Sequence, residues 1–168
     1  MILEYFALPH CRHKPVRANP SDAGLDLKFN YEEDERDLLF GKDENGKPKL
    51  LPIRIERGCC VVLGTGLKFG IPHGYMLQIM NRSGNAAKKR LVVGACVVDS
   101  GYDGEVFVNL HNIGLETQYV EEGDKIAQAV VVPVVPVRFL ETKNDNLYDW
   151  SPITISDRGA GALGSTGD

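Results

Sequence analysis

The feature that most constrains this chain is a series of short apolar segments, nearly all of them stopped by Gly, Pro, Asn or Asp. They run over residues 53–56, 59–64, 76–80, 91–98, 105–112 and 126–132 and are rich in Val, Ile and Leu. Runs of this length and composition, bounded by turn residues, read as strands. Within 105–110 the residues alternate: Val106, Val108 and Leu110 face one way, and Glu105, Phe107 and Asn109 the other. The segments recur about every 10 to 15 residues, which suits an all-β sandwich or barrel. No long stretch has a 3.6-residue period. The best helix candidate is short, residues 83–90, with Ser83 as N-cap and Lys88, Lys89 and Arg90 near its C-terminus.

A length of 168 residues fits a single domain, and its 18 glycines and 9 prolines supply the turns that many short strands need. The net charge of −4 argues against general nucleic-acid or membrane-surface binding. The longest apolar run, residues 129–137, contains Pro133 and Pro136 and falls far short of the roughly 20 residues a bilayer requires. Glu4 interrupts the N-terminal stretch where a secretion signal has an apolar core, so a cytoplasmic protein is expected. Cys11, Cys59, Cys60 and Cys96 form no CxxC, so reduced, mostly buried thiols are expected. Only Cys11 with nearby His13 points toward metal.

Two stretches break the strand pattern. Residues 31–49 are mostly polar, start acidic and carry a turn at Asn45-Gly46. They read as a surface loop or hairpin, with a partner-binding insertion as the alternative. Residues 153–168 form a Gly-rich arm with too little apolar surface to order alone.

Five constellations carry chemistry. In the arm, Gly159, Gly161, Gly164 and Gly167 allow close backbone approach. Arg158 suits a phosphate, and Ser165 and Thr166 add hydroxyl donors. A flexible polar tail is the plain alternative. Asn81-Arg82-Ser83-Gly84 follows a strand and opens the short helix, where free N–H groups favour an anion; an ordinary N-cap beside a surface Arg is the alternative. Residues 98–105 read as a hairpin turn, with Asp99 at the mouth of a pocket and Tyr102 able to stack on a ring or sugar. Turn formation alone would also explain its Asp and Gly. Gln128 follows the Gly123-Asp124 turn and is either a satisfied core amide or a ligand donor. Asp26, between Leu25 and Leu27, either faces solvent or has a partner.

The order of all five resembles the trimeric dUTPase family. A-G-L-D-L at 23–27, R-S-G at 82–84, V-V-D-S-G-Y-D-G-E at 97–105, G-D-K-I-A-Q at 123–128 and R-G-A-G-A-L-G-S-T-G at 158–167 are similar to its five motifs in sequence. The resemblance implies a jelly-roll-like β-clip subunit with one short helix, forming a homotrimer whose active sites are shared between subunits. It implies hydrolysis of dUTP to dUMP and pyrophosphate, which limits uracil in DNA and supplies dUMP for thymidylate synthesis. It assigns Asp99 to activating the water that attacks the α-phosphorus, and Tyr102 to packing on the deoxyribose. The backbone of a hairpin around 94–98, Val98 included, would read the uracil edge. Arg82, Ser83, Gly84 and Gln128 would hold phosphates, and Arg158, Gly164, Ser165 and Thr166 the terminal ones. Leu163 would cover the base. Mg²⁺ would be held mainly by phosphates and water, with Asp26 as outer-shell support. Nuclear as well as cytoplasmic location would suit a eukaryotic or viral source.

There are departures from the family pattern. Gly101 stands where Asp is usual before the Tyr, Leu163 where an aromatic is usual, Ala162 where Gly is usual, and Cys96 where Gly is common. Residues 31–49 are longer than the compact pattern. Two alternatives remain in view. A dCTP deaminase of the same fold needs a Glu where this chain has Asn109, and a neutral amide cannot shuttle the proton. A non-catalytic regulatory protein would bind a nucleotide or a protein partner without turnover.

Overall fold

The computed structural model describes residues 1–32, 34, 40–143, 145, 147 and 148. The chain divides into two compact units, Met1–Pro136 and Val137–Asp168. In the second, the described residues form neither helix nor strand.

The first unit is built from short strands. In chain order they are β1 (Glu4–Ala7), β2 (Leu25–Lys28), β3 (Phe40–Lys42), β4 (Pro48–Leu50), β5 (Ile53–Ile55), β6 (Cys60–Gly64), β7 (Leu67–Gly70), β8 (Tyr75–Met80), β9 (Leu91–Val93), β10 (Val97–Val98), β11 (Phe107–Asn112), β12 (Gln118–Val120) and β13 (Lys125–Pro133). The main sheet has the order β10-β8-β13-β2, and a second has β6-β11-β9. The pairs β1-β7, β12-β5 and β3-β4 complete the architecture. All these pairings are antiparallel. Inner faces of the two larger sheets share one apolar core: Leu27, Leu77 and Ile79 from one, Leu63, Val108 and Leu110 from the other. Burial of such faces on both sides is what makes a sandwich stable. The all-β expectation therefore holds, and so does the alternation over 105–110, where Val106, Val108 and Leu110 are all buried.

β13 is the longest strand and lies between β8 and β2. Its register with β2 shifts between Lys125 and Ala127, so Ile126 is an extra residue. Such a β-bulge breaks the strict two-residue alternation. Ile126 and Ala127 are consecutively buried as a result. Lys125 and Gln128, three apart, come to share the outward face that an uninterrupted strand would deny them.

Several expectations need correction. Residues 91–98 are not one strand: β9 pairs with β11, and β10 with β8. The chain turns across Gly94 to Cys96, where Gly94 N donates to Asn109 O (2.9 Å) and Ile79 N to Cys96 O (2.7 Å). Apolar residues continue through this corner, so composition did not mark it. The segment around 94–98 is therefore not a hairpin of two mutually paired strands. Nor is 98–105 a hairpin turn, because β10 and β11 belong to different sheets. It is a crossing loop, turned locally by Tyr102 N to Asp99 O (3.2 Å). The short helix is a π-helical turn, Asn85–Lys89, preceded by Gly84 and ended by Arg90 in a left-handed conformation (φ 56°). No side-chain hydrogen bond caps its start, so Ser83 does not act as the N-cap.

The polar stretch does contain a hairpin, β3-β4, with its turn at Asn45-Gly46 (Gly46 φ 76°). Its first residue is core rather than surface. Tyr31 is fully buried, meets the Phe29 ring edge-on at 4.4 Å, and donates from Oη to Leu51 O (2.8 Å).

Candidate active site

One end of the main sheet brings three motifs together. Register places Met80, Gln128 and Asp26 in one cross-strand row through β8, β13 and β2. Arg82 follows two residues past the end of β8. Its Nε donates to Asp26 Oδ1 (2.8 Å), and Lys125 Nζ lies 2.7 Å from Oδ2. The bulge in β13 lets Lys125 reach this carboxylate from the same strand as Gln128. Asp26 thus has partners instead of facing solvent; 13% of its side chain is exposed. Burial acts to raise its pKa, but hydrogen bonds and charge from Lys125 and Arg82 outweigh it and hold the carboxyl below the usual range.

These residues border a cleft of about 480 Å³ lined by Asp26, Arg82, Ser83, Gly84 and Gln128, with Gly24 at its wall. Gln128 Nε2 donates to Asn81 O (2.9 Å), which leaves its second N–H for another acceptor. Gly24 is needed here because a Cβ would overlap the Gln128 amide. Asn81 Oδ1 in turn accepts from Val93 N (2.6 Å), so the turn after β8 is tied to β9. The Arg82 terminal nitrogens make no hydrogen bond among the described residues, so a cation and amide donors face an anion-sized space. Asn81 opened the Asn81-Arg82-Ser83-Gly84 constellation in the sequence, but neither it nor Lys125 was given a role there. Lys125 lay inside the fourth motif, and the bulge that turns it toward Asp26 is not visible in the sequence.

A second cleft, of about 250 Å³, collects Val98, Asp99, Tyr102, Glu105 and Phe107. Asp99 is exposed, and its carboxylate makes no hydrogen bond among the described residues. The next residue anchors the loop: Ser100 Oγ donates to Ile71 O (3.0 Å). Gly101 has φ 89°, a left-handed conformation that favours glycine over the Asp usual there. Tyr102 Oη donates to Glu105 O (2.9 Å), and its ring lies so close to Gly104 that a Cβ there would sit 2.5 Å from Cζ. Lys68 Nζ holds Asp103 Oδ1 at 2.7 Å.

The expected residues therefore form two sets in one chain. Asp26, Arg82, Ser83, Gly84 and Gln128 share one cleft, and Val98, Asp99 and Tyr102 share the other. Arg158, Leu163, Gly164, Ser165 and Thr166 lie outside the described residues. The metal reading of Cys11 and His13 gains no support: among the described residues no three His, Cys, Asp or Glu side chains are grouped to hold an ion. Burial pushes the Cys11 thiol up, against Lys14 and with Glu105, away from the thiolate that metals take. Asn109 Oδ1 meets His111 Nε2 at 2.6 Å. Among the described residues no helix is long and apolar enough to cross a membrane.

Comparison with known proteins places this architecture. Residues 50–167 match the family model described as dUTPase. The deoxyuridine 5'-triphosphate nucleotidohydrolase of Gloeobacter violaceus is 35% identical over 162 residues, covering 95% of this chain and 92% of that protein. Its counterpart in Chlamydia muridarum is 40% identical over 119 residues, 70% of this chain and 77% of that one. Among solved structures, the Staphylococcus bacteriophage 80alpha dUTPase with dUPNHPP superposes with a TM-score of 0.75 over 99% of both chains at 22% identity. A mutant dUTPase from phage phi11 of S. aureus, whose structure shows coordination of a structural Mg(II) ion, gives 0.68 at 22% identity over 87% of this chain and 99% of that one. The structural matches establish the shared fold. The match over residues 50–167, together with relatives at this level of identity, shows that the chain belongs to the dUTPase family.

Proposed function

We propose that this enzyme hydrolyses dUTP to dUMP and pyrophosphate. The observation that carries the reading is the first cleft. An arginine, a glutamine amide and Ser83-Gly84 at the start of the short helix converge on one anion-sized space, as a triphosphate requires. Asp99 lies in the second cleft with an exposed, unbonded carboxylate, as a base that must accept a proton from water requires. That water's oxygen bonds to the α-phosphorus, its proton passes to Asp99, and the bond from the α-phosphorus to the bridging oxygen breaks. Pyrophosphate leaves with the electron pair. Tyr102 packs on the deoxyribose, held over Gly104. The backbone around 94–98, Val98 included, reads the uracil edge. Arg82, Ser83, Gly84 and Gln128 bind phosphate oxygens. The arm contributes Arg158, Gly164, Ser165 and Thr166 to the terminal phosphates and Leu163 over the base.

Mg²⁺ fits as a substrate-borne ion. Asp26 borders the phosphate cleft, but both its oxygens already accept from cations, so it suits contact through water and not direct ligation. When bound, the ion would neutralise triphosphate charge and polarise the phosphoryl under attack. Arg82 and Gln128 need only orient the oxygens.

The two clefts also support a homotrimer in which each active site is completed by neighbouring subunits. The chain acts as one dUTPase domain, with the arm from about residue 153 closing over a site, and works in the cytoplasm. The test is a product analysis with Mg²⁺ and dUTP, dTTP, dCTP and UTP supplied separately. Expected are dUMP and pyrophosphate from dUTP, far slower release from the others, and no dUTP formed from dCTP. Deamination of dCTP, or no turnover of dUTP, would overturn the reading.

A further inference from the structure

The segment before the first motif takes no part in this mechanism, yet its His10 lies against the loop that does. Leu8 N donates to Gly66 O (2.8 Å), and Arg12 N and His13 N both donate to Asn30 Oδ1 (2.8 Å each). The Arg12 guanidinium donates back to His10 O (3.1 Å). So held, His10 presents Nε2 3.3 Å from Glu105 Oε2, with only 16% and 8% of the two side chains exposed. The other oxygen, Oε1, accepts from Gly66 N (2.7 Å). The node is tight: a Cβ on Gly64 would lie 2.8 Å from Glu105 Oε1, and one on Gly66 would lie 2.6 Å from Cys11 Cβ.

A carboxylate this buried requires partners for both oxygens. Gly66 N–H supplies one, and His10 Nε2 lies at ion-pair distance from the other, 3.3 Å, without making a hydrogen bond among the described residues. Where the Glu105 side chain is pinned, its backbone is pinned too. The Glu105 carbonyl is the acceptor for Tyr102 Oη. We propose that His10 is a positioning residue: acting through Glu105, it sets Tyr102 against the sugar and sharpens discrimination between deoxyribose and ribose. This rests on the reading that Tyr102 contacts the sugar.

The experiment measures pyrophosphate release by the full chain on dUTP and UTP. His10→Ala should lower the dUTP-to-UTP ratio of kcat/KM about fivefold, the scale of one lost polar contact. The loss should come from KM for dUTP, with kcat changed less than about twofold. His10→Gln, which keeps a donor, should restore most of the ratio. In a Tyr102→Ala background, His10→Ala should change the ratio no further. If His10→Ala does not fold, His10→Leu keeps the bulk without the donor and carries the same expectation. An unchanged ratio in the His10 variants, or an equal loss without the Tyr102 ring, overturns the proposal alone. A ratio unaffected by Tyr102→Ala overturns the sugar contact, and the proposal with it.

Discussion

At Asp26 one carboxylate binds two cations that reach it from different strands, Arg82 after β8 and Lys125 in β13. Its depressed pKa has a definite sign in stability. A group whose folded pKa lies below its unfolded value, near 3.9 for Asp, contributes stability above that unfolded value and loses it as pH falls through the folded one. Asp26→Asn should therefore lower stability at neutral pH by about 1–3 kcal/mol, the scale of a charged hydrogen-bonded group left without its partner. The gap between variant and parent should close as pH drops below about 4. Chemical denaturation across pH checks this, and a gap independent of pH would contradict it. Gly104 offers a second residue-scale test. Gly104→Ala puts a methyl against the Tyr102 ring. KM for dUTP should rise while global stability stays within about 1 kcal/mol, because the ring is exposed and can swing away. Sequence supplied the names of Asp26, Arg82 and Gln128 but left two readings open for Asp26 and for Gln128. Burial and partners decide such cases, and both depend on strands far apart in the chain.

The elements were legible where an apolar run ends at a turn residue. β5, β6, β8, β11 and β13 fall within two residues of the expected segments. β1, β7 and β12 were not marked: they are three or four residues long, and their existence depends on distant partners. The bulge in β13 was invisible for the same reason, since it is a property of register and not of composition. The Asp99–Glu105 loop was misread as a hairpin because two apolar segments flank it, although they enter different sheets. Its Gly101 gives an element-scale prediction. Among the described residues other than its two chain neighbours, no atom lies within 4 Å of the position a Cβ would take, so space is not limiting, but φ is 89°. Gly101→Val should destabilise by about 1–2 kcal/mol and lower turnover, whereas Gly101→Asn should cost less. Equal effects of the two, by thermal unfolding and steady-state rates, would show that conformation is not what glycine supplies there.

For the whole molecule, the separation of the two clefts matters most. One chain presents the groups proposed to bind phosphate in one place and Asp99 with Tyr102 in another. The sheet β6-β11-β9 also exposes Val62 and Phe107, at 64% and 43%, an apolar surface suited to subunit contact. If each active site takes Arg82 from one subunit and Asp99 from another, two inactive variants should rescue each other. Arg82→Ala and Asp99→Asn refolded together in equal amounts should recover about a quarter of parental activity, as random assembly leaves that share of sites intact. No recovery would place both residues of a site in one subunit.

The central claim, that Asp99 activates the attacking water in dUTP hydrolysis, is tested most directly by pyrophosphate release from Asp99→Asn beside nucleotide binding. The amide keeps the shape but cannot take the proton. Turnover should fall by about 10²–10⁴, the usual contribution of a general base, while affinity for dUTP changes little. Pyrophosphate release at the parental rate would contradict the account.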